Sequence, residues 1–267
     1  MATQHVHSPI VTCEHAGNRV PPSLRALGRG LERALGGYRS FDVGALLLAR
    51  SLARRLEAPI FASSITRMVV DANRSEHNPA VFGALGRRLD PEARRRALEH
   101  WYRPHRERVE SAISSRARRG QVVHLAVHTF APGPLSRRGK VDFGILYDPR
   151  RPRERAFAAR LRAAVLRRCP ELRVRRNRPF LGRSDGLPTA LRRRLGGHRY
   201  LGIELELSQA IAARPAAEWR ALRLRLVDAI ASALAAGPGH RSSASGRSRP
   251  ARSRWRSTRR RRYSPRR

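Results

Sequence analysis

Apolar runs of strand length recur along this chain, and four of them run directly into polar residues capable of chemistry. The run from His7 to Cys13 leads into Glu14-His15-Ala16-Gly17-Asn18, and Arg67-Met68-Val69-Val70 leads into Asp71-Ala72-Asn73-Arg74. Gln121 to Val127 carries His124 and ends on His128, while Tyr200 to Leu207 holds Glu204 and Glu206 in alternation. Stretches of helical period lie between these runs. From 41 to 56, Val43, Leu46, Leu47, Leu52 and Leu56 oppose Arg50, Arg54 and Arg55, the pattern of an amphipathic helix. The same reading predicts helices over 24–35, 91–120, 153–168, 189–195 and 216–236, strands over 59–63, 67–70, 141–147 and 172–174, and a loop over 75–89. Such alternation specifies an α/β fold, three-layer α/β/α with a mostly parallel mixed sheet. Ligands of such sheets bind outside the carboxyl ends of the strands. The polar strand ends are therefore the candidate site.

Bulk properties exclude some classes. A chain of 267 residues, 40% hydrophobic, supports one sizeable core, and it contains no 18-residue apolar run to span a bilayer. Residues 1–9 lack the basic and apolar regions of a secretory signal, so a soluble, cytoplasmic protein is expected. Cys13 and Cys169 are the only cysteines, which fits reduced thiols better than a disulfide framework. The formal net charge of +37 invites a nucleic-acid reading. However, the segment from Gly237 onward has twelve arginines and no acid, contributing +12 and leaving +25 on the rest. Lys140 is the only lysine, and the arginines are spread through the helices with alanine, a compositional bias rather than one patch. Residues 237–267 are Arg/Ser-rich with almost no apolar content; they cannot offset ordering entropy by burial and are expected to be a disordered tail behind a domain spanning 1–236.

The strand ends have a chemical logic. Either histidine alone reads more readily as a hydrogen-bonded core or loop residue, but as a pair at strand ends, with Glu14, Asn18 and Thr129 beside them, His15 and His128 are laid out as imidazole ligands to zinc. Arg67, Asn73 and Arg74 form a guanidinium–amide cluster suited to gripping a carboxylate, with an Asp71–Arg74 loop pair as the alternative. Glu204 and Glu206 share one strand face; they read either as buried acids held by charge or metal, or as the solvated face of an edge strand. Pro104 kinks the 91–120 helix and could aim His105 or Arg106 at the site. Asn177-Arg178-Pro179-Phe180 and Ser184-Asp185-Gly186 read as loop and turn chemistry.

Together these pieces resemble the N-formylglutamate amidohydrolase family. The resemblance rests on Glu14-His15-Ala16-Gly17-Asn18 with Val20-Pro21, Phe41-Asp42-Val43-Gly44, Val70-Asp71-Ala72-Asn73-Arg74, Tyr102-Arg103-Pro104-His105-Arg106, His128-Thr129-Phe130-Ala131-Pro132 and Gly202-Ile203-Glu204-Leu205-Glu206, in the family's order over about residues 8–210. It implies a zinc-carboxypeptidase-like, aspartoacylase-like fold and zinc-dependent hydrolysis of a linear amide. The implied metal ligands are His15 and His128, with Asn18 third because His15-x-x-Asn18 stands where carboxypeptidases have His-x-x-Glu; Glu14 or a water is the alternative. Glu206 is the implied general base, and Asn73 and Arg74 the implied grip on the substrate carboxylate. Arg67 would polarise the scissile carbonyl or hold a second carboxylate.

The expected function is removal of the N-formyl, or similar short acyl, group from an acidic amino acid such as N-formylglutamate. The alternatives are a deacylase of another N-acyl amino acid, or an inactive hydrolase body serving an Arg-tailed binder of nucleic acid or other polyanions. A polycationic tail binds phosphate backbones nonspecifically through counterion release. Truncation after Ala236 is therefore expected to leave turnover unchanged while lowering retention on nucleic acid at low salt. A truncated chain that folds but loses most activity would place the tail within the working domain.

Overall fold

The computed structural model describes residues 8–131 and 141–236; the segment 237–267, expected to be a disordered tail, lies outside the described residues. Six strands, β1 (Ser8–Cys13), β2 (Ile60–Ala62), β3 (Val122–Phe130), β4 (Phe143–Leu146), β5 (Val174–Arg176) and β6 (Tyr200–Ser208), form one sheet in the order β2-β1-β3-β6-β4-β5. Neighbours are parallel except β4 and β6, which are antiparallel. The main helices are α1 (Ala45–Arg55), α2 (Pro91–Ala97), α3 (Arg103–Arg119), α4 (Pro152–Arg168), α5 (Leu187–Arg194) and α6 (Ala216–Ala235). None of the described helices is long and apolar enough to cross a membrane.

Strand pleating sorts the central strands into two faces. On one, Val11 and Cys13 of β1, Val123, Leu125 and Val127 of β3, and Leu201, Ile203, Leu205 and Leu207 of β6 form the main core with Leu48 and Leu52 of α1, Phe157 and Leu161 of α4, and Leu226 and Ile230 of α6. On the other, Ile10, Val122 and Tyr200 pack against Val109 and Ile113 of α3 and Leu187 and Leu191 of α5. The expected three-layer α/β/α arrangement is therefore present. The second face changes character along the strands: apolar where they begin, then polar through Thr12, Glu14, His124, His128, Glu204 and Glu206. Strand β6 lies between β3 and β4 and is buried throughout, so its glutamates are interior acids and not the solvated face of an edge strand.

Three expected elements differ. Residues 67–70 form a turn, with Val69 N–H donating to the Thr66 carbonyl at 3.0 Å. Met68, Val69 and Val70 satisfy their hydrophobicity in a separate cluster with Val81, Leu85 and Tyr102 instead of in the sheet. The helix expected over 24–35 breaks into Arg25–Gly28 and Glu32–Leu35, with Gly30 between them at φ 75°. The helix expected from 41 begins only at Ala45. Phe41 to Gly44 is instead a loop, drawn to the first strand end by Asp42 N–H donating to the His15 carbonyl at 2.9 Å. Gly44 turns it at φ 85°, where an added Cβ would come 2.6 Å from the Ala212 Cβ. A π-helical turn over Leu98–Tyr102 separates α2 from α3, and Pro104 falls in the first turn of α3, where its missing N–H costs no helical bond.

Strand β4 is short and pairs with β6 only over Glu204 to Leu207, which leaves the preceding backbone of β6 without a partner on that side. Two buried side chains replace the missing strand. Glu154 Oε1 accepts from Gly202 N–H at 3.1 Å, and Arg192 Nη2 donates to the Gly202 carbonyl at 2.6 Å. The two are also paired with each other at 3.0 Å. Removing one member strands a buried charge and two backbone groups. Arg192→Ala is expected to cost about 3–5 kcal/mol, the usual scale for breaking a buried pair, measured by urea unfolding; a cost under about 1 kcal/mol would show that water serves these groups equally well.

Candidate active site

The polar face of β1, β3 and β6 and two loops converge on one cavity of about 510 Å³. His15 and Glu14 follow β1, His128 lies near the end of β3, and Glu204 and Glu206 lie on β6, where the register sets Glu206 opposite His128. The loop before α1 delivers Asp42. The turn after residues 67–70 delivers Asp71, Asn73 and Arg74. Gly144 of β4 faces Glu206, and an added Cβ there would come within 2.2 Å of the Arg178 carbonyl oxygen, so only glycine lets that loop close over the strand.

At the centre are two imidazoles whose ring centroids are 5.1 Å apart. Each is bracketed by carboxylates. His15 Nε2 is 2.7 Å from Asp71 Oδ1, and its Nδ1 is 3.4 Å from Asp42 Oδ2. His128 Nδ1 is 3.0 Å from the same Asp42 oxygen, and its Nε2 is 3.0 Å from Glu14 Oε2. The last contact is close without being well directed, and both Glu14 oxygens are buried without a hydrogen bond. His15, Asp42 and His128 offer donor atoms that all lie within 4.8 Å of one another, a group that could hold a metal ion.

The electrostatics follow from burial. Desolvation alone would lower both imidazoles, but the carboxylates outweigh it: Asp71 and Asp42 raise His15, and the hydrogen bond to Asp42 with the charges of Asp42 and Glu14 holds His128 well above the ordinary histidine range. Burial would likewise raise the acids, yet the imidazoles bring Asp71 down to about 2 and keep Asp42 and Glu14 below the usual carboxylate range. Glu206 behaves oppositely. Burial pushes it up to about 8, with the charges of Asp42 and Glu204 adding to the effect, and its Oε2 has no partner. Burial also raises Glu204.

The remaining expected residues fall as follows. Arg67 lines the cavity, with Nη2 donating to the Tyr38 carbonyl at 2.8 Å and to Asp42 Oδ1, and Nη1 3.2 Å from His15 Nδ1. Asn73 Oδ1 accepts from Leu187 N–H at 2.8 Å, and its Nδ2 lies 3.3 Å from His128 Nε2. Arg74 Nη1 donates to the carbonyls of Asn73 and Asp185. Asn18, the expected third ligand, is not brought to this cluster: it is exposed and donates to the Leu35 carbonyl at 2.9 Å, because the loop after His15 turns outward. Asp42 stands at the imidazoles instead. Its Phe41-Asp42-Val43-Gly44 run is visible in the sequence, but nothing local ties it to a histidine 27 positions earlier. Asp71 and Glu14 as imidazole partners were equally hidden. His105 is buried on α3, its Nε2 without a hydrogen bond, and Arg106 donates to the Ala72 carbonyl.

The three-layer α/β/α domain thus carries buried histidines and acids at its parallel strand ends, opening into a cavity lined by Arg67 and Arg74. The chain matches the family described as N-formylglutamate amidohydrolase over residues 8–213, and it belongs to that family. It is similar to a gene product of Agrobacterium tumefaciens of known crystal structure, with 27% identity and a TM-score of 0.69 over 86% of this chain and 90% of that one. No curated protein matches it.

His124 shares the strand with His128 but serves the frame. Its Nε2 pairs with the Thr12 hydroxyl at 2.8 Å and its Nδ1 with the Tyr200 hydroxyl at 2.7 Å. Burial pushes it down to about 4, so the unfolded chain binds the extra proton between that value and the ordinary histidine pKa of about 6.5. Stability from neutral His124 is present above about 6.5 and is lost as the pH falls toward 4. The difference in unfolding free energy between wild type and His124→Gln should shrink through that window; a difference independent of pH would show that His124 is not held neutral.

Proposed function

We propose that this protein is a metal-dependent amidohydrolase that removes a formyl or similarly short acyl group from the nitrogen of an amino acid, with N-formylglutamate as the first substrate to test. The observation that carries this reading is the His15–Asp42–His128 group. The residues fit a divalent ion on two grounds. Two nitrogens and one carboxylate oxygen form the three-ligand donor set of catalytic zinc sites, which leave a further position open. In addition, Asp42, Asp71 and Glu14 draw positive charge to the two imidazoles, raising both, and a dication would supply that charge to the same buried carboxylates. Zinc, once bound, would activate water and polarise the amide carbonyl.

The chain's own residues have separable tasks. Asp71 and Glu14 face the Nε2 atoms of His15 and His128, which orients the rings and turns both Nδ1 atoms toward Asp42. Once His15 Nδ1 serves as a ligand, Arg67 Nη1 loses its present partner and is free for the substrate carbonyl oxygen. Arg74, with Nη1 fixed on two backbone carbonyls, offers the rest of its guanidinium to the substrate carboxylate, while Asn73 holds the turn that carries it. Glu206, which the charge of a bound dication would hold ionised against its burial, takes a proton from water as the hydroxyl adds to the acyl carbon; the C–N bond then breaks, and Glu206 returns the proton to the departing amine. Formate and the amino acid leave. The two buried, unpaired thiols Cys13 and Cys169 support a reducing, cytoplasmic setting.

Purified protein is expected to carry about one zinc per chain. Asp42→Asn and His128→Ala should lose it by elemental analysis. Glu206→Gln should keep the metal yet release formate from N-formylglutamate at least about 100-fold more slowly, the scale of a lost general base. Full metal content in Asp42→Asn would remove it from the ligand set, and undiminished turnover in Glu206→Gln would remove that residue from the reaction.

A further inference from the structure

The mouth of the cavity does not match the charge of a dicarboxylate. The large hydrophobic side chains exposed among the described residues are Tyr38, Leu47, Phe180, Leu181 and Leu224, at 42–51% exposure. Three of these five, Tyr38, Phe180 and Leu181, line the same cavity as His15, His128 and Glu206, and Pro179 joins them. Single exposed apolar residues are ordinary, but a cluster at a site mouth marks a surface meant to be covered.

These side chains are presented by fixed backbone. Asn177 Oδ1 accepts from Tyr147 N–H at 3.0 Å and from Gly182 N–H at 3.1 Å, clamping both ends of the 178–181 loop. Buried Arg192 also donates to the Gly182 carbonyl. The Tyr38 carbonyl is held by Arg67 at 2.8 Å. A loop held this firmly could have turned polar groups outward; instead it keeps two large apolar side chains in water.

Charge points the same way. Among the described residues, the arginines lining the cavity are Arg67 and Arg74. Arg67 Nη2 is committed to Asp42 and the Tyr38 carbonyl, and its Nη1 is reserved for the acyl carbonyl, so among these two Arg74 is the guanidinium with an edge to spare for a carboxylate. Glu204, Glu206 and Asp185 line the same space. One substrate carboxylate is matched, and a second would meet acids and hydrocarbon. We infer that the cavity selects N-acyl amino acids with a large apolar side chain, the α-carboxylate on Arg74 and the side chain against Phe180, Leu181 and Tyr38, in preference to a glutamyl side chain. This rests on the hydrolase reading for its chemistry but not for its binding preference.

The test uses the zinc-loaded full chain with N-formyl-L-leucine, N-formyl-L-phenylalanine and N-formyl-L-glutamate, reading both Kd by calorimetry and kcat/KM by formate release. An apolar substrate should be favoured over the glutamate at least about tenfold, the scale on which an apolar pocket discriminates. In Phe180→Ala/Leu181→Ala, whose replaced side chains are exposed and make no core contact, that ratio should fall about tenfold. Tighter binding of N-formylglutamate, binding of none of the three, or a double variant that weakens all three equally would overturn the inference. Apolar preference in Kd without formate release from any substrate would keep the subsite and overturn the hydrolase reading instead.

Discussion

The arrangement depends on charge that has been taken out of water. Asp42, Asp71 and Glu14 are buried around two imidazoles, and isolated carboxylates in such a position would cost several kcal/mol each. The imidazoles and Arg67 are their compensation, and every other feature of the site serves to hold these groups at contact distance. Asp42 is the pivot. One oxygen faces both Nδ1 atoms while the other takes the Arg67 guanidinium, so the loop before α1, the end of β3 and the turn carrying Arg67 are joined through a single carboxylate.

The sheet makes this possible by dividing labour between its faces. One face of β1, β3 and β6 is hydrocarbon up to Thr129 near the end of β3 and supplies the stability. The other begins as hydrocarbon under α3 and α5 and turns polar toward the strand ends, where the loops can reach it. Its interior polar groups are matched one by one: His124 with Thr12 and Tyr200, Gly202 with Glu154 and Arg192. Among its carboxylates, oxygens without a hydrogen bond remain at Glu14, beside His128, and at Glu206, in the cavity. A buried acid with an unpaired oxygen and a raised pKa is the expected signature of a group kept for proton transfer.

The sequence revealed this division unevenly. The alternation in Tyr-Leu-Gly-Ile-Glu-Leu-Glu-Leu placed both glutamates on one face from period alone, and the strand-end histidines followed from where the apolar runs stop. Residues 67–70 have the pattern of a strand but form a turn, because an apolar run reports burial and not its partner; these side chains pack in a satellite cluster. Asp42 lies within a run shared with the family, but its place beside His15 has no local signal, since only the tertiary fold carries it there. Asn18 is the third ligand that the family resemblance implies, with Glu14 or a water as alternatives; the loop after His15 turns its side chain to the Leu35 carbonyl within three residues, a turn that no local signal announces. The apolar mouth was invisible for a related reason: Phe180 and Leu181 resemble any loop residues until the Asn177 clamp fixes them over the cavity.

The most direct test is a crystal structure of the zinc-loaded protein with anomalous scattering collected at the zinc edge. A single peak about 2.0–2.2 Å from His15 Nδ1, His128 Nδ1 and an Asp42 oxygen, with Asp71 and Glu14 still on the Nε2 atoms, is the predicted result. A peak coordinated by Glu14 or Asn18 in place of Asp42, or zinc bound only at surface groups with the two imidazoles still on their carboxylates, would contradict it.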